Sequence, residues 1–146
     1  MQVLVVEDEC LIRMLVCDLL EEAGCVCIEA GNGIEALALL DSKLCRPALL
    51  VTDFNLGPGP NGQTLAREAV SRIPGLPVVF MTGNPESFEG YAFRNDERLI
   101  AKPFSGSHLV ERMAELMPPV PRHPPGLHPQ WSTGRSPAPA HDLQVA

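Results

Sequence analysis

The run Val3-Leu4-Val5-Val6 is too short for a helix and too apolar for a surface, and three similar runs follow it: Ala48-Leu49-Leu50-Val51-Thr52, Pro77-Val78-Val79-Phe80-Met81 and Leu99-Ile100-Ala101. Each ends in residues that carry chemistry: Glu7-Asp8, Asp53, Thr82 and Lys102, in that order. Short apolar runs of this kind read as strands covered on both faces, as in a parallel sheet. If all end on one edge, they bring together three carboxylates, a hydroxyl and an ammonium. Such a set suits a divalent cation and a phosphoryl group.

The segments between the runs have helical spacing. From about Glu9 to Ala23, Leu11, Ile12, Leu15, Val16, Leu19 and Leu20 make one covered face, and Gly24 ends the helix. Cys25 to Ala30 reads as a further strand, second in the chain. Asn32 caps a helix with Ile34, Leu37, Ala38, Leu40 and Leu44 inward. After a Gly- and Pro-rich loop at 56–62, a third helix carries Leu65, Ala66, Ala69, Val70 and Ile73. Pro85 and Gly90 leave only a short or weak fourth helix in 85–97. Strand five spans Arg98 to Lys102. A last helix begins at Ser105 or Ser107, with Leu109, Val110, Met113, Leu116 and Met117 inward.

Five alternations of strand and helix predict an α/β, flavodoxin-like (βα)5 three-layer sandwich with a parallel five-stranded sheet in the order 2-1-3-4-5. In that order the ligand crevice lies at the carboxyl ends of strands one and three, where Glu7, Asp8 and Asp53 stand. The domain is expected over residues 1–117. Residues 118–146 are dense in Pro with little aliphatic periodicity, and read as a disordered tail in which Trp131 could anchor a partner.

A net charge of -7 argues against direct nucleic-acid binding. There is no 18-residue apolar stretch to predict a membrane span, and no basic leader to suggest a signal peptide. The five Cys are odd in number and lie in apolar segments, as expected for small buried residues in a reducing cytoplasm. Cys25 and Cys27 would face the same side of a strand, a weak metal signal by itself.

A hard cation such as Mg²⁺ takes oxygen ligands and keeps several waters. Asp8 and Asp53 are the candidate direct ligands, Glu7 acts through water, and the backbone carbonyl of Asn55 completes the set. Asp53 is the candidate carboxylate nucleophile, forming an acyl phosphate. Lys102 holds a phosphoryl oxygen as a point charge, the Thr82 hydroxyl donates to another, and Gly83 leaves room for a backbone N–H. Each residue alone has an ordinary alternative: Asp53 as a helix cap, Glu7-Asp8 as favourable charge at a helix N-terminus, Thr82 as a turn residue, Lys102 as a surface charge.

Val5-Val6-Glu7-Asp8-Glu9, Val51-Thr52-Asp53-Phe54-Asn55-Leu56, Met81-Thr82-Gly83 and Ala101-Lys102-Pro103-Phe104 together resemble the receiver domain of bacterial two-component response regulators. The resemblance covers about residues 1–117 and implies that Asp53 takes a phosphoryl group from a phosphohistidine on a histidine kinase or phosphotransfer protein. It further implies that Glu7, Asp8, Asp53 and the Asn55 carbonyl hold Mg²⁺, that Thr82 and Lys102 engage the phosphoryl group, and that the Lys102–Pro103 bond is cis. Output would be partner binding at the face of helix four, strand five and helix five, or phosphoryl relay. Most receivers have an aromatic residue three positions before the lysine; here Leu99 stands there. The segment 77–83 is similar to a receiver subgroup with a Phe-Ala-Thr-Gly motif, which also lacks that aromatic. Nothing after residue 117 has the apolar content of an output domain, so a stand-alone signalling receiver, not an enzyme, is expected.

Two rival classes share parts of this pattern. Aspartyl-phosphate phosphohydrolases use the same acid, hydroxyl and amine, but carry a second acid two residues after the nucleophile, where Asn55 stands. A degenerate receiver would bind partners without phosphorylation, yet every key side chain is present.

Overall fold

A computed structural model of the chain describes residues 1–116. Five parallel strands, β1 (Gln2–Val6), β2 (Val26–Ala30), β3 (Leu49–Asp53), β4 (Val78–Thr82) and β5 (Glu97–Ala101), form one sheet in the order β2-β1-β3-β4-β5. The helices are α1 (Cys10–Glu22), α2 (Gly33–Asp41), α3 (Gly62–Arg72) and α4 (Gly106–Leu116). The expected flavodoxin-like architecture is thus present, as is the reversal of strand order between β1 and β3.

Alternation along the strands divides the core in two. Val3, Val5, Leu49, Val51, Val79, Met81 and Ile100 face the layer of α1 and α4, where they meet Val16, Leu20 and Leu109. Leu4, Val6, Leu50, Val78 and Phe80 face the other layer, against Ala36, Leu40, Leu65 and Ala69 of α2 and α3. Both faces are covered, which is why these strands read as continuous apolar runs.

The helix ends follow local chemistry. Gly24 has φ +90°, and the N–H groups of Gly24 and Cys25 donate to the carbonyls of Glu21 and Leu20. This pair of bonds satisfies the open carbonyls at the end of α1. Asn32 and Asn61 cap α2 and α3 by accepting from the N–H groups of Glu35 and Thr64.

Several expectations are corrected. Residues 85–97 hold no α-helix. Pro85–Phe88 forms one 3-10 turn, and irregular chain leads from it to β5. The alternation therefore yields four α-helices among the described residues rather than five. Leu11, Ile34, Ala38, Leu44 and Val110 are exposed rather than inward. Leu11 lies in the first turn of α1, Leu44 lies past the end of α2, and Ile34 packs beside the loop glycine Gly59 rather than against the sheet. Ala36, not Ala38, is the buried alanine of α2. Cys10 is exposed, and Cys27 is only half-buried. The proposed tail at 118–146 and the domain limit at 117 lie outside the described residues, as do Met117 and Trp131.

Gly62 opens α3 directly beneath the end of β3. Its N–H donates to the Phe54 carbonyl at 2.8 Å, and a Cβ there would collide with the Asp53 carbonyl. Gly62→Ala is therefore expected to destabilise the fold by about 2 kcal/mol through overpacking, read as a lower urea midpoint. An unchanged midpoint would show that this approach is not tight.

Candidate functional site

The carboxyl edge of the sheet collects the predicted residues. Glu7 and Asp8 directly follow β1, Asp53 ends β3, Thr82 ends β4 and Lys102 directly follows β5. The Lys102 ammonium donates to Glu7 Oε1 at 3.0 Å and to Asp53 Oδ2 at 3.2 Å. Asp53 Oδ1 accepts from the Phe54 N–H at 2.7 Å. One carboxylate oxygen each of Glu7, Asp8 and Asp53 can lie within 4.8 Å of one another. An open cleft of ≈ 510 Å³ lies over this edge, lined by Asp8, Glu9, Ile12, Asp53, Asn55 and Lys102 among others.

Burial differs sharply within the triad. Glu7 is 1% exposed and Asp53 8%, whereas Asp8 faces solvent. Among the described residues, Glu7 Oε2 is buried without a hydrogen-bond partner. A buried carboxylate oxygen left unpaired is costly and calls for a counter-charge. The three-acid donor set fits a hard divalent ion at that point.

The electrostatics agree with the geometry. Burial, with the neighbouring Asp53 adding to it, pushes the Glu7 carboxyl up to about 8 in the metal-free protein, despite the opposing effect of Lys102. Burial works against charge on Lys102, yet Glu7 and Asp53 hold its amine above the ordinary value.

Thr82 is buried at the end of β4, and its Oγ1 accepts from the Asn84 N–H at 3.0 Å. The site's hydroxyl is thereby tied to the residue before the 3-10 turn. Asn55 is exposed on the loop after β3 and borders the cleft. Pro103 follows a cis bond from Lys102. Leu99 is half-buried and packs against the α2–α3 side of the core.

Three features escaped the sequence reading. The Arg13 guanidinium, on α1, donates to the Glu7 carbonyl at 2.8 Å and to Glu29 at 3.1 Å, fixing the turn that carries the first acids. Phe54, Phe80, Phe88, Tyr91 and Phe93 form one aromatic cluster in which the Phe54 ring meets Phe88 at 5.4 Å between centroids and Phe80 meets Phe88 at 5.0 Å. Buried Glu97 accepts from the Tyr91 hydroxyl, the Arg94 N–H and the Arg94 guanidinium. Aromatics at 88, 91 and 93 within a polar segment were the available signal, but only tertiary contact joins them to Phe54 and Phe80.

The family described as "Response regulator receiver domain" matches residues 3–114. The chain belongs to this family. PhoB of Pseudomonas aeruginosa, a phosphate regulon transcriptional regulatory protein, is 32% identical over 120 residues, covering 79% of this chain and 51% of that protein. The sensor kinase CckA of Brucella abortus is 30% identical over 117 residues, 79% of this chain and 12% of the kinase. Among solved structures, the receiver domain of the hybrid histidine kinase CckA superposes with a TM-score of 0.68 at 29% identity, covering 80% of this chain and 100% of that one. The chain spans about half the length of the PhoB relatives it matches. Receivers are signalling domains that interact with histidine kinases and typically bind a metal ion in an acidic pocket, and the triad here could hold one.

The raised Glu7 value makes a signed prediction for the metal-free protein. The native state holds a proton on Glu7 that the unfolded chain, near 4.5, releases, so this group's contribution to stability falls as pH rises from about 4.5 through about 8. In EDTA, Glu7→Gln is expected to be more stable than the parent at pH 9, with the gain shrinking toward pH 5. Equal urea midpoints across that range would refute the raised value.

Proposed function

We propose that this receiver is a phosphoryl-accepting switch or relay, in which Asp53 takes a phosphoryl group from a phosphohistidine on a histidine kinase or phosphotransfer protein. The observation that carries the reading is the Lys102 ammonium held 3.0 Å from Glu7 and 3.2 Å from Asp53, beside an unpartnered buried carboxylate oxygen. The site has a fixed cation but remains short of positive charge.

Asp53 attacks phosphorus with a carboxylate oxygen, the bond to the donor histidine nitrogen breaks, and an acyl phosphate results. Glu7, Asp8, Asp53 and the Asn55 carbonyl would hold Mg²⁺, which supplies neutralisation of the charge on the transferring group. Lys102 shifts its ammonium from the free carboxylate to a phosphoryl oxygen, keeping the product paired. Thr82 turns its hydroxyl toward the new group, weakening its tie to the Asn84 N–H.

Phosphorylation adds roughly two negative charges near pH 7. With a 3-10 turn in place of an α-helix between β4 and β5, the change reaches the surface through residues 85–88, strand β5 and α4. The output is binding of a downstream protein or passage of the phosphoryl group onward. The reading places the protein in the cytoplasm with its kinase, in keeping with the five free thiols.

Signalling is favoured over ester turnover. Asn55, two residues after the nucleophile, can neither take nor give the proton that a hydrolase's second acid handles.

Incubation with acetyl phosphate and Mg²⁺ is expected to add one phosphoryl group, seen as an intact-mass increase. Asp53→Asn and addition of EDTA should each return labelling to background. A label that survives Asp53→Asn would move the acceptor elsewhere, and one indifferent to EDTA would remove the metal from the account.

A further inference from the structure

Away from the acidic edge, Cys17 of α1 and Cys27 of β2 lie side by side, the Cys27 sulfur against the Cys17 backbone. Cys17 is buried on the sheet side of α1, and Cys27, the second residue of β2, is half-buried. The tight reversal at Gly24 folds the strand back along the helix that precedes it. The Cys27 thiol donates to the Cys17 carbonyl at 3.7 Å, so the sulfur of the strand residue already reaches the backbone of the helix residue.

The two side chains also sense each other's ionisation. Burial pushes both thiols up, Cys27 to about 11, so neither ionises readily near neutral pH. Cys27 is the less buried of the pair, so its thiol is the one a peroxide reaches first, with Cys17 behind it.

We infer that Cys17 and Cys27 are a latent disulfide pair, closed by a peroxide to staple α1 to the edge strand β2. The Cys27 thiolate attacks one peroxide oxygen, the O–O bond breaks, and Cys27 becomes a sulfenic acid as hydroxide leaves and is protonated. The Cys17 sulfur then attacks the Cys27 sulfur, the S–O bond breaks, and the proton from Cys17 leaves with the hydroxyl as water. In sum, two thiols and hydrogen peroxide give one disulfide and two waters. The other thiols are placed differently: Cys10 is exposed at the start of α1, Cys25 is buried just before β2, and Cys45 is buried in the loop before β3.

The staple has a structural consequence. Among the described residues β2 pairs only with β1, and α1 is its principal helical neighbour. The same helix carries Ile12, which lines the cleft, and Arg13, which holds the Glu7 carbonyl and reaches Glu29 on β2. A covalent tie at 17–27 secures the wall of the cleft from behind.

The test treats the full chain with hydrogen peroxide, blocks remaining thiols with iodoacetamide under denaturing conditions, and maps the peptides. A peptide cross-linked through Cys17 and Cys27 is expected, in a monomer that has lost two hydrogens. Its Tm should rise by about 5 °C or more and return on reduction. Cys10→Ser should leave the cross-link intact; Cys27→Ser and Cys17→Ala should each abolish it. Recovery of both residues as alkylated thiols would overturn the inference. So would over-oxidation of Cys27 with Cys17 still free, or a bond from Cys27 to Cys25 instead.

Discussion

The bridge from Lys102 to Glu7 and Asp53 is the interaction on which the site depends. Carboxylates this close repel one another, and at an effective dielectric of about 20 each charge pair near 3 Å is worth about 5 kcal/mol before desolvation. One ammonium touching two acids offsets only part of that repulsion. The remaining imbalance is visible in the unpartnered Glu7 oxygen and the raised Glu7 carboxyl. That imbalance is what supports the proposal of a cation and then an anionic group at this edge.

The sheet makes this arrangement possible without strain. Parallel pairing puts the ends of β1, β3, β4 and β5 on one edge, and burial of both sheet faces fixes the register. Gly62 admits α3 close beneath Asp53, and Arg13 secures the turn after β1. The polar residues at the strand ends are thus held by apolar residues one or two positions earlier. Specificity of placement comes from the core, while the chemistry comes from what the strands present beyond it.

That division explains what could be read in the sequence. Val3–Val6 and Val78–Met81 announce buried strands by composition alone, so Glu7, Asp8, Asp53, Thr82 and Lys102 could be assigned to one edge before any coordinates. Helical spacing was less informative about how wide the covered stripe is: Ile34 and Val110 fit the period but lie beyond the reach of the sheet. The segment 85–97 defeated local reasoning. Its order comes from aromatic contact with Phe80 and Phe54 and from Glu97 accepting three hydrogen bonds, all set by tertiary packing. Leu99 cannot replace an inward-turning aromatic; the ring that follows Asp53 in the chain, Phe54, packs on Phe88.

The most direct test of the acidic edge is structure determination with Mg²⁺ and beryllium fluoride, an inorganic mimic of the phosphoryl group. The account predicts the mimic on Asp53, Lys102 turned onto one of its fluorines, and the cation among Asp8, Asp53 and the Asn55 carbonyl. A mimic bound elsewhere, or a cation held without Asp8 and Asp53, would contradict it.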